Sequence, residues 1–209
     1  MSKHGVFLVI EGVDGAGKGT QIELLRRAIE RCGRSVHVTA EPSTLPIGAL
    51  LRRYLRRELP DSVPGPAGMA LLFAADRMQH LEHEILARLT VGEVVLCDRY
   101  YASSIVYQTA MDETAGGQLM QWIADVNAHA RRPDRTVVLD LDPELAASRR
   151  AARGTPFELF EQLEMQRRIR HNYRRLAQLR PQDDMRFVDA SRTPEAVHED
   201  VFALVRELV

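Results

Sequence analysis

The chain has 209 residues, 45% hydrophobic and 27% charged, with a formal net charge of −1. That composition describes a globular protein long enough for one full core, and the near-zero charge excludes a general affinity for nucleic acid or an anionic membrane. No apolar run approaches the ~20 residues that span a bilayer and neither end carries a targeting pattern, so the cytoplasm is the expected compartment. Cys32 and Cys97 lie in or beside apolar stretches and are expected to pack rather than form a disulfide or a metal pair.

In chain order, Val6 to Ile10 is an unbroken apolar run of the kind that forms a strand buried on both faces. The chain then reads GVDGAGKGT from Gly12 to Thr20. Gly12, Gly15 and Gly17 permit the turn and the close backbone approach by which successive N–H groups cradle phosphates. A helix opening at Lys18 adds its N-terminal dipole, and Lys18 can reach terminal phosphates. Of 28 basic side chains only Lys3 and Lys18 are lysines, and a compact ammonium suits a phosphate site. Gly19 stands where this motif usually has Ser or Thr, with Thr20 one place later, so magnesium is expected to be held mostly through water.

Helical spacing continues to Gly33, followed by a short strand at Val36 to Thr39. Leu45 to Leu59 reads as a basic helix, Pro60 to Gly68 as a loop, and Met69 to Leu89 as a long helix. The pairs His80 with His83 and His83 with Glu84 lack metal-binding order and are read as a surface helix face. Glu93 to Cys97 is a second buried strand, delivering Asp98 and Arg99 to the sheet edge that carries the phosphate turn, where an acid can hold magnesium through water. Tyr100 to Gln108 and Glu113 to Ala130 read as helices, Arg135 to Asp140 and Phe187 to Asp189 as strands, and Pro194 to Val209 as a closing helix. The alternation implies a three-layer α/β fold on a parallel sheet. The arginine-dense stretch from Pro143 to Ala177 is interrupted at Arg153 to Phe157. Arg149 to Arg153 is expected to belong to a lid over phosphates, and Arg167 to Arg175 to a solvated helix face.

Several stretches together resemble the thymidylate kinase family: EGVDGAGKGTQ at Glu11 to Gln21, TAEPSTLPIGALLR at Thr39 to Arg52, and LLFAADRMQH at Leu71 to His80. DRYYASSIVYQ at Asp98 to Gln108, PDRTVVLDLDPELA at Pro133 to Ala146 and VDASRTPEAV at Val188 to Val197 continue it. The resemblance implies a P-loop fold with a five-stranded parallel sheet flanked by helices. It implies a single domain over residues 1–209 with a mobile lid at about 149–161, working as a homodimer that transfers the γ-phosphoryl group of ATP to dTMP. It assigns the ATP phosphates to Gly12, Val13, Asp14, Gly15, Ala16, Gly17, Lys18, Gly19 and Thr20. Arg99 and Arg52 would hold the dTMP phosphate, Phe73 would stack on thymine near Pro42, and Arg77 would hydrogen-bond the base. Asp14 would meet the sugar, Tyr107 would pack against it, and Ser104 with Gln108 would complete the pocket. Arg149 would lie against adenine, Arg153 would reach the transferring group, and Mg²⁺ would be supported by Asp98, Thr20 and Glu11, mostly through water.

This chain departs from the family pattern in three places. Gly15 stands where some members carry an arginine, Ala40 replaces an arginine, and Glu158, Leu159, Phe160 and Glu161 replace a lid sequence with one more arginine. The catalytic cation is therefore expected from Arg149 or Arg153. The competing reading is a P-loop nucleotide-binding protein with altered monophosphate specificity or degraded catalysis.

Overall fold

In this computed structural model the described residues are 4–59, 62–112, 116–153 and 162–209. Strand β1 (Val6–Gly12) leads through the phosphate turn into α1 (Lys18–Arg31), β2 (Val36–Ala40) and α2 (Pro46–Leu55). Next come α3 (Pro66–His80), one π-helical turn at Leu81–Ile85, α4 (Leu86–Thr90), β3 (Val94–Asp98), α5 (Tyr101–Met111) and α6 (Gly116–Val126). The chain closes with β4 (Arg135–Asp140), α7 (Pro143–Arg153), α8 (Leu163–Leu179), β5 (Met185–Asp189) and α9 (Pro194–Val205).

The five strands form one parallel sheet in the order β2-β3-β1-β4-β5. Because β1, β3 and β4 are central, their side chains are buried on both faces, which is why they read as continuous apolar runs. The edge strands β2 and β5 carry more exposed positions. Register fixes where the chemistry emerges. Ile10 and Ala40 both pair with Asp98, so these three residues stand level on neighbouring strands. Glu11, Glu41 and Arg99 are the next residues along, at the carboxyl edge where open α/β sheets bind ligands.

Several boundaries differ from the sequence expectation. Helix α3 starts at Pro66, inside the span read as loop, because proline at the first helical position is favourable where the N–H would be unpaired anyway. The helix expected through Leu89 passes through a π turn at Leu81–Ile85. Helix α2 stops at Leu55, short of Leu59, where Arg57 adopts a left-handed φ of 57°. Cys97 is in the core, but Cys32 is exposed at the end of α1. The arginines of α8 are more engaged than a solvated face would be. Arg170 and Arg174 both bond Asp140, Arg167 bonds Glu144, and Arg168 donates to the Ala110 carbonyl. The opposite face of α8, with Ile169, Tyr173 and Leu176, is buried against α5.

Candidate active site

The phosphate turn takes its shape from its glycines. Gly12, Gly15 and Gly17 have φ of 142°, 96° and 93°, a region that strains any side chain. At Gly12 and Gly15 space is closed as well: an added Cβ would lie 2.7 Å from the Leu139 carbonyl oxygen and 2.6 Å from that of Ala146. Val13 and Ala16 are buried beneath the turn, and Gly17 caps α1. The turn therefore ends on unpaired helix N–H groups. The Lys18 ammonium donates to the carbonyls of Gly12 at 3.3 Å and Val13 at 3.2 Å. Burial and the Arg99 charge push its pKa below the ordinary lysine value, against the pull of Asp98, Asp14 and Glu11.

Arg99 joins this turn to the next cavity. Its φ of 68° is left-handed, a conformation that costs a non-glycine residue about 1–3 kcal/mol and is commonly kept at functional sites. Its guanidinium donates to Gly12 O at 3.2 Å and Ser103 Oγ at 3.0 Å, pairs with the Asp14 carboxylate, and lies 4.7 Å above the Tyr107 ring. Asp14 also accepts from the Tyr107 hydroxyl at 3.2 Å and from Gln166 Nε2 at 3.0 Å, while its own N–H donates to Gln166 Oε1. Burial alone would raise the Asp14 pKa, but Arg99, Lys18 and these hydrogen bonds outweigh it and hold the carboxyl below its usual range.

Glu11 sits differently from the expectation that it supports a metal. It is fully buried, and its two oxygens accept from Tyr100 N at 2.9 Å, Ser103 N at 3.0 Å, Ser103 Oγ and Tyr173 OH at 2.7 Å. Desolvation raises its pKa, opposed by Arg99 and by these donors. The carboxylate caps the first turn of α5 and fastens α8 behind it. Its position is internal, so the side chain is a strut.

All but Arg52 of the residues expected to hold the monophosphate line one cavity of about 120 Å³: Asp14, Pro42, Phe73, Arg77, Arg99, Ser104, Tyr107 and Gln108. Glu41 and Tyr100 line it too. Ser104 Oγ and both amide atoms of Gln108 are buried without a protein hydrogen-bond partner, so the cavity presents donors and acceptors for a polar ring. Arg52 faces a second, larger space of about 510 Å³ with Gly19, Thr39, Ala40, Glu84 and Asp98, and bonds the Pro42 carbonyl. Asp98 Oδ1 is buried there without a protein partner.

A third space of about 400 Å³ runs past Gly15, Gly17, Thr20, Gln21, Arg149, Arg192 and Pro194. Arg149 is held there by the carbonyls of Ala190 at 3.0 Å and Ser191 at 3.2 Å. Thr20 faces this third space and Asp98 the second, so the two expected magnesium ligands do not line one cavity. Among the described residues no group of three or more His, Cys, Asp or Glu side chains could hold a metal ion. The Arg153 side chain and residues 154–161, the greater part of the expected lid, lie outside the described residues.

Four contributors were not read from the sequence, and a fifth, Arg150, was read only as part of the span Arg149 to Arg153. Arg150 donates to the Asp14 carbonyl, and Glu41, Ser103, Gln166 and Tyr173 make the contacts given above or below. Gln166 and Tyr173 share the buried stripe of α8 with Ile169 and Leu176. That 3.6-residue pattern was the available signal, obscured by the arginines between. His80, read as part of a surface face, is fully buried.

The chain is similar to known proteins along nearly its whole length. The thymidylate kinase family model matches residues 10–201. A probable thymidylate kinase of Pyrococcus horikoshii is 42% identical over 205 residues, covering 97% of each chain. A thymidylate kinase of Halothermothrix orenii is 38% identical over 214 residues, again covering 97% of each. Among solved structures, a thymidylate kinase from Candida albicans aligns with a TM-score of 0.84 at 25% identity, covering 99% of this chain and 93% of that one.

Proposed function

The chain belongs to the thymidylate kinase family, and we propose that it transfers the γ-phosphoryl group of ATP to dTMP, giving ADP and dTDP for dTTP synthesis. The observation that carries this reading is Arg99, whose guanidinium touches the phosphate turn at Gly12 and also lines the cavity walled by Phe73, Arg77 and Tyr107. One cation thus spans the place for a donor's phosphates and the place for an acceptor's.

The ATP phosphates lie along Gly12 to Thr20 under Lys18, and the adenine occupies the space beside Arg149. The thymine stacks on Phe73 with its edge toward Arg77, Ser104 and Gln108, and the dTMP phosphate meets Arg99 and Arg52. A phosphate monoester is largely ionised at neutral pH, its second pKa being about 6. Attack by its oxygen in line with the leaving ADP therefore requires no strong base. What the chain supplies is position and positive charge: Lys18 and Arg99 on one side, Arg149 and Arg153 from the lid over about residues 149–161 on the other. Asp98, with its unpartnered buried oxygen, fits Mg²⁺ held mainly by substrate oxygens and water. When bound, the ion would neutralise charge on the transferring phosphates. Thr20 is the weaker candidate, because it faces the adenine side.

The same reading makes the enzyme a cytoplasmic homodimer. On α3, Leu71 and Met78 leave 51% and 37% of their surface exposed, an apolar stripe suited to a second copy. Light scattering behind a sizing column would give twice the chain mass, and the monomer mass would refute it.

The deciding experiment is a coupled ATP-consumption assay with Mg²⁺ across dTMP, dUMP, dCMP, dGMP, AMP and UMP, for the natural chain and Arg153→Ala. Turnover led by dTMP is expected, falling by roughly 10³ or more in the variant. ATP binding without turnover of any monophosphate would overturn the assignment.

A further inference from the structure

A buried charged network forms part of the wall of the monophosphate cavity, and of its members phosphoryl transfer as described above uses only Arg77. Glu41, Arg77 and His80 have side chains exposed by only 2%, 1% and 0%. Glu41 leaves the end of β2, and Arg77 and His80 stand three residues apart on one face of α3. Glu41 Oε2 accepts from Arg77 NH2 at 2.6 Å, and Glu41 Oε1 faces His80 Nδ1 at 3.5 Å. The other arm of the guanidinium donates to Asn127 Oδ1. On its far side, His80 Nε2 meets Thr39 Oγ1 at 2.8 Å and Glu84 Oε1 at 3.6 Å. His37 pairs with Glu84 in turn at 2.8 Å.

The oxygens around His80 favour its doubly protonated form. Nε2 faces two oxygens that can accept a hydrogen from it, Thr39 Oγ1 at 2.8 Å and Glu84 Oε1 at 3.6 Å, and it carries one. Nδ1 faces a carboxylate oxygen, where a bare lone pair would be repelled, so it carries one as well. The imidazole is therefore a cation between two carboxylates, as a buried ionic cluster requires for its charges to be compensated.

We propose that Glu41 and His80 are a positioning pair for Arg77: the charged imidazole takes one oxygen of Glu41, leaving the other to hold the guanidinium where it reads the base of the monophosphate. The inference rests on the reading that the cavity lined by Arg77 receives that base. Without the His80 charge, both oxygens of Glu41 are free to draw Arg77 toward them and away from the cavity. Arg77 has only donors to offer, so its placement favours a base that presents a carbonyl there over one that presents an amino group. The pair thus acts on dTMP affinity and on discrimination against dCMP.

The titratable groups around His80 are Glu41, Glu84, Asp76, Arg77 and His37, from the β2 exit, the π turn, α3 and β2. Burial lowers its pKa, but Glu41, Glu84 and Asp76 outweigh burial and lift it above the ordinary histidine value. The charged form accordingly persists to higher pH than in an ordinary histidine and is lost as pH rises through the raised value.

The test uses the full chain with saturating ATP and Mg²⁺. His80→Gln should raise the dTMP KM roughly 10- to 100-fold, the worth of one hydrogen bond to a charged group. The ATP KM and kcat should stay within about threefold, and the preference for dTMP over dCMP should shrink. Glu41→Gln should do the same. Nitrogen-15 spectra of the natural chain at about pH 7.5, where a free histidine of pKa about 6.5 is mostly neutral, should show one imidazole protonated at both nitrogens. That readout holds even if a variant fails to fold. A neutral His80 in those spectra, or a His80→Gln enzyme with natural dTMP KM and dCMP discrimination, overturns the pair. Arg77→Ala separates the two levels. If it raises the dTMP KM while His80→Gln does not, the pair fails and the base-reading role stands; if Arg77→Ala has a natural KM, that role fails and takes the pair with it.

Discussion

The phosphate turn takes its groups from one contiguous stretch, Gly12 to Thr20, and mostly from its backbone, whereas the monophosphate cavity is assembled from side chains delivered by the β2 exit, α3 and α5. The first needs glycines because the backbone itself approaches the ligand and a single Cβ would strike the Leu139 or Ala146 carbonyl. The second needs buried ionic partners, because a guanidinium held in a dry wall must be compensated wherever it touches protein. A backbone cradle tolerates little substitution and reads any triphosphate tail. A side-chain cavity can be retuned residue by residue, and that is where substrate choice resides.

The largest test of this contrast is Lys18→Ala. It removes the lysine ammonium of the backbone cradle and should lower kcat by about 10³, roughly 4 kcal/mol, while leaving the dTMP KM near its natural value. A variant with near-normal turnover would break the contrast at its stronger end.

Glu11→Ala probes the strut shared by both regions. It strands two backbone N–H groups in the core and leaves the Tyr173 and Ser103 hydroxyls, which also bond each other, without their shared carboxylate acceptor. A loss of about 3 kcal/mol is expected, lowering Tm by roughly 6–12 °C in a calorimetric scan. An unchanged Tm would mean that α5 and α8 do not depend on this carboxylate.

Phe73→Ala acts on the cavity alone. About 2 kcal/mol of stacking and burial should disappear as a roughly 30-fold rise in the dTMP KM, with the ATP KM unmoved. A parallel rise in both constants would show that the two regions are not separable. Smallest is Gln166→Ala, which removes two hydrogen bonds between α8 and Asp14, one from its N–H and one to its carboxylate. It should cost about 1 kcal/mol, or roughly fivefold in kcat/KM. Because Asp14 belongs to both regions, both substrates should feel it, and an effect confined to one would place Asp14 on that side only.

Legibility in the sequence followed the same division. The turn from Gly12 to Lys18 was readable because its chemistry depends on consecutive residues at fixed spacing. Asp98 and Arg99 were readable because a buried apolar run announces the strand that delivers them. The family resemblance supplied Phe73, Arg77, Ser104, Tyr107 and Gln108, and the fold brings them to one cavity. Glu11 was expected to support magnesium mostly through water, and its place before the turn says nothing about the four internal donors its carboxylate accepts from. His80 was misread as surface because the histidine and acid spacing of that helix resembles a solvated face, and only the tertiary placement of the end of α3, where His80 meets Thr39 of β2, buries it.

The sequence by itself determined the order of strands and helices, the parallel sheet and the phosphate turn, since periodicity and glycine placement are local properties of the chain. Only the tertiary structure decided that Glu11 is an internal strut, that Arg52 and Asp98 face a different space from Phe73 and Arg77, and that Glu41, Arg77 and His80 form one buried ionic cluster. Those outcomes depend on strand register and on helices packed from positions up to 162 residues apart. Burial there turns a hydrogen bond or a charge that would be worth little in water into one that fixes a side chain in place.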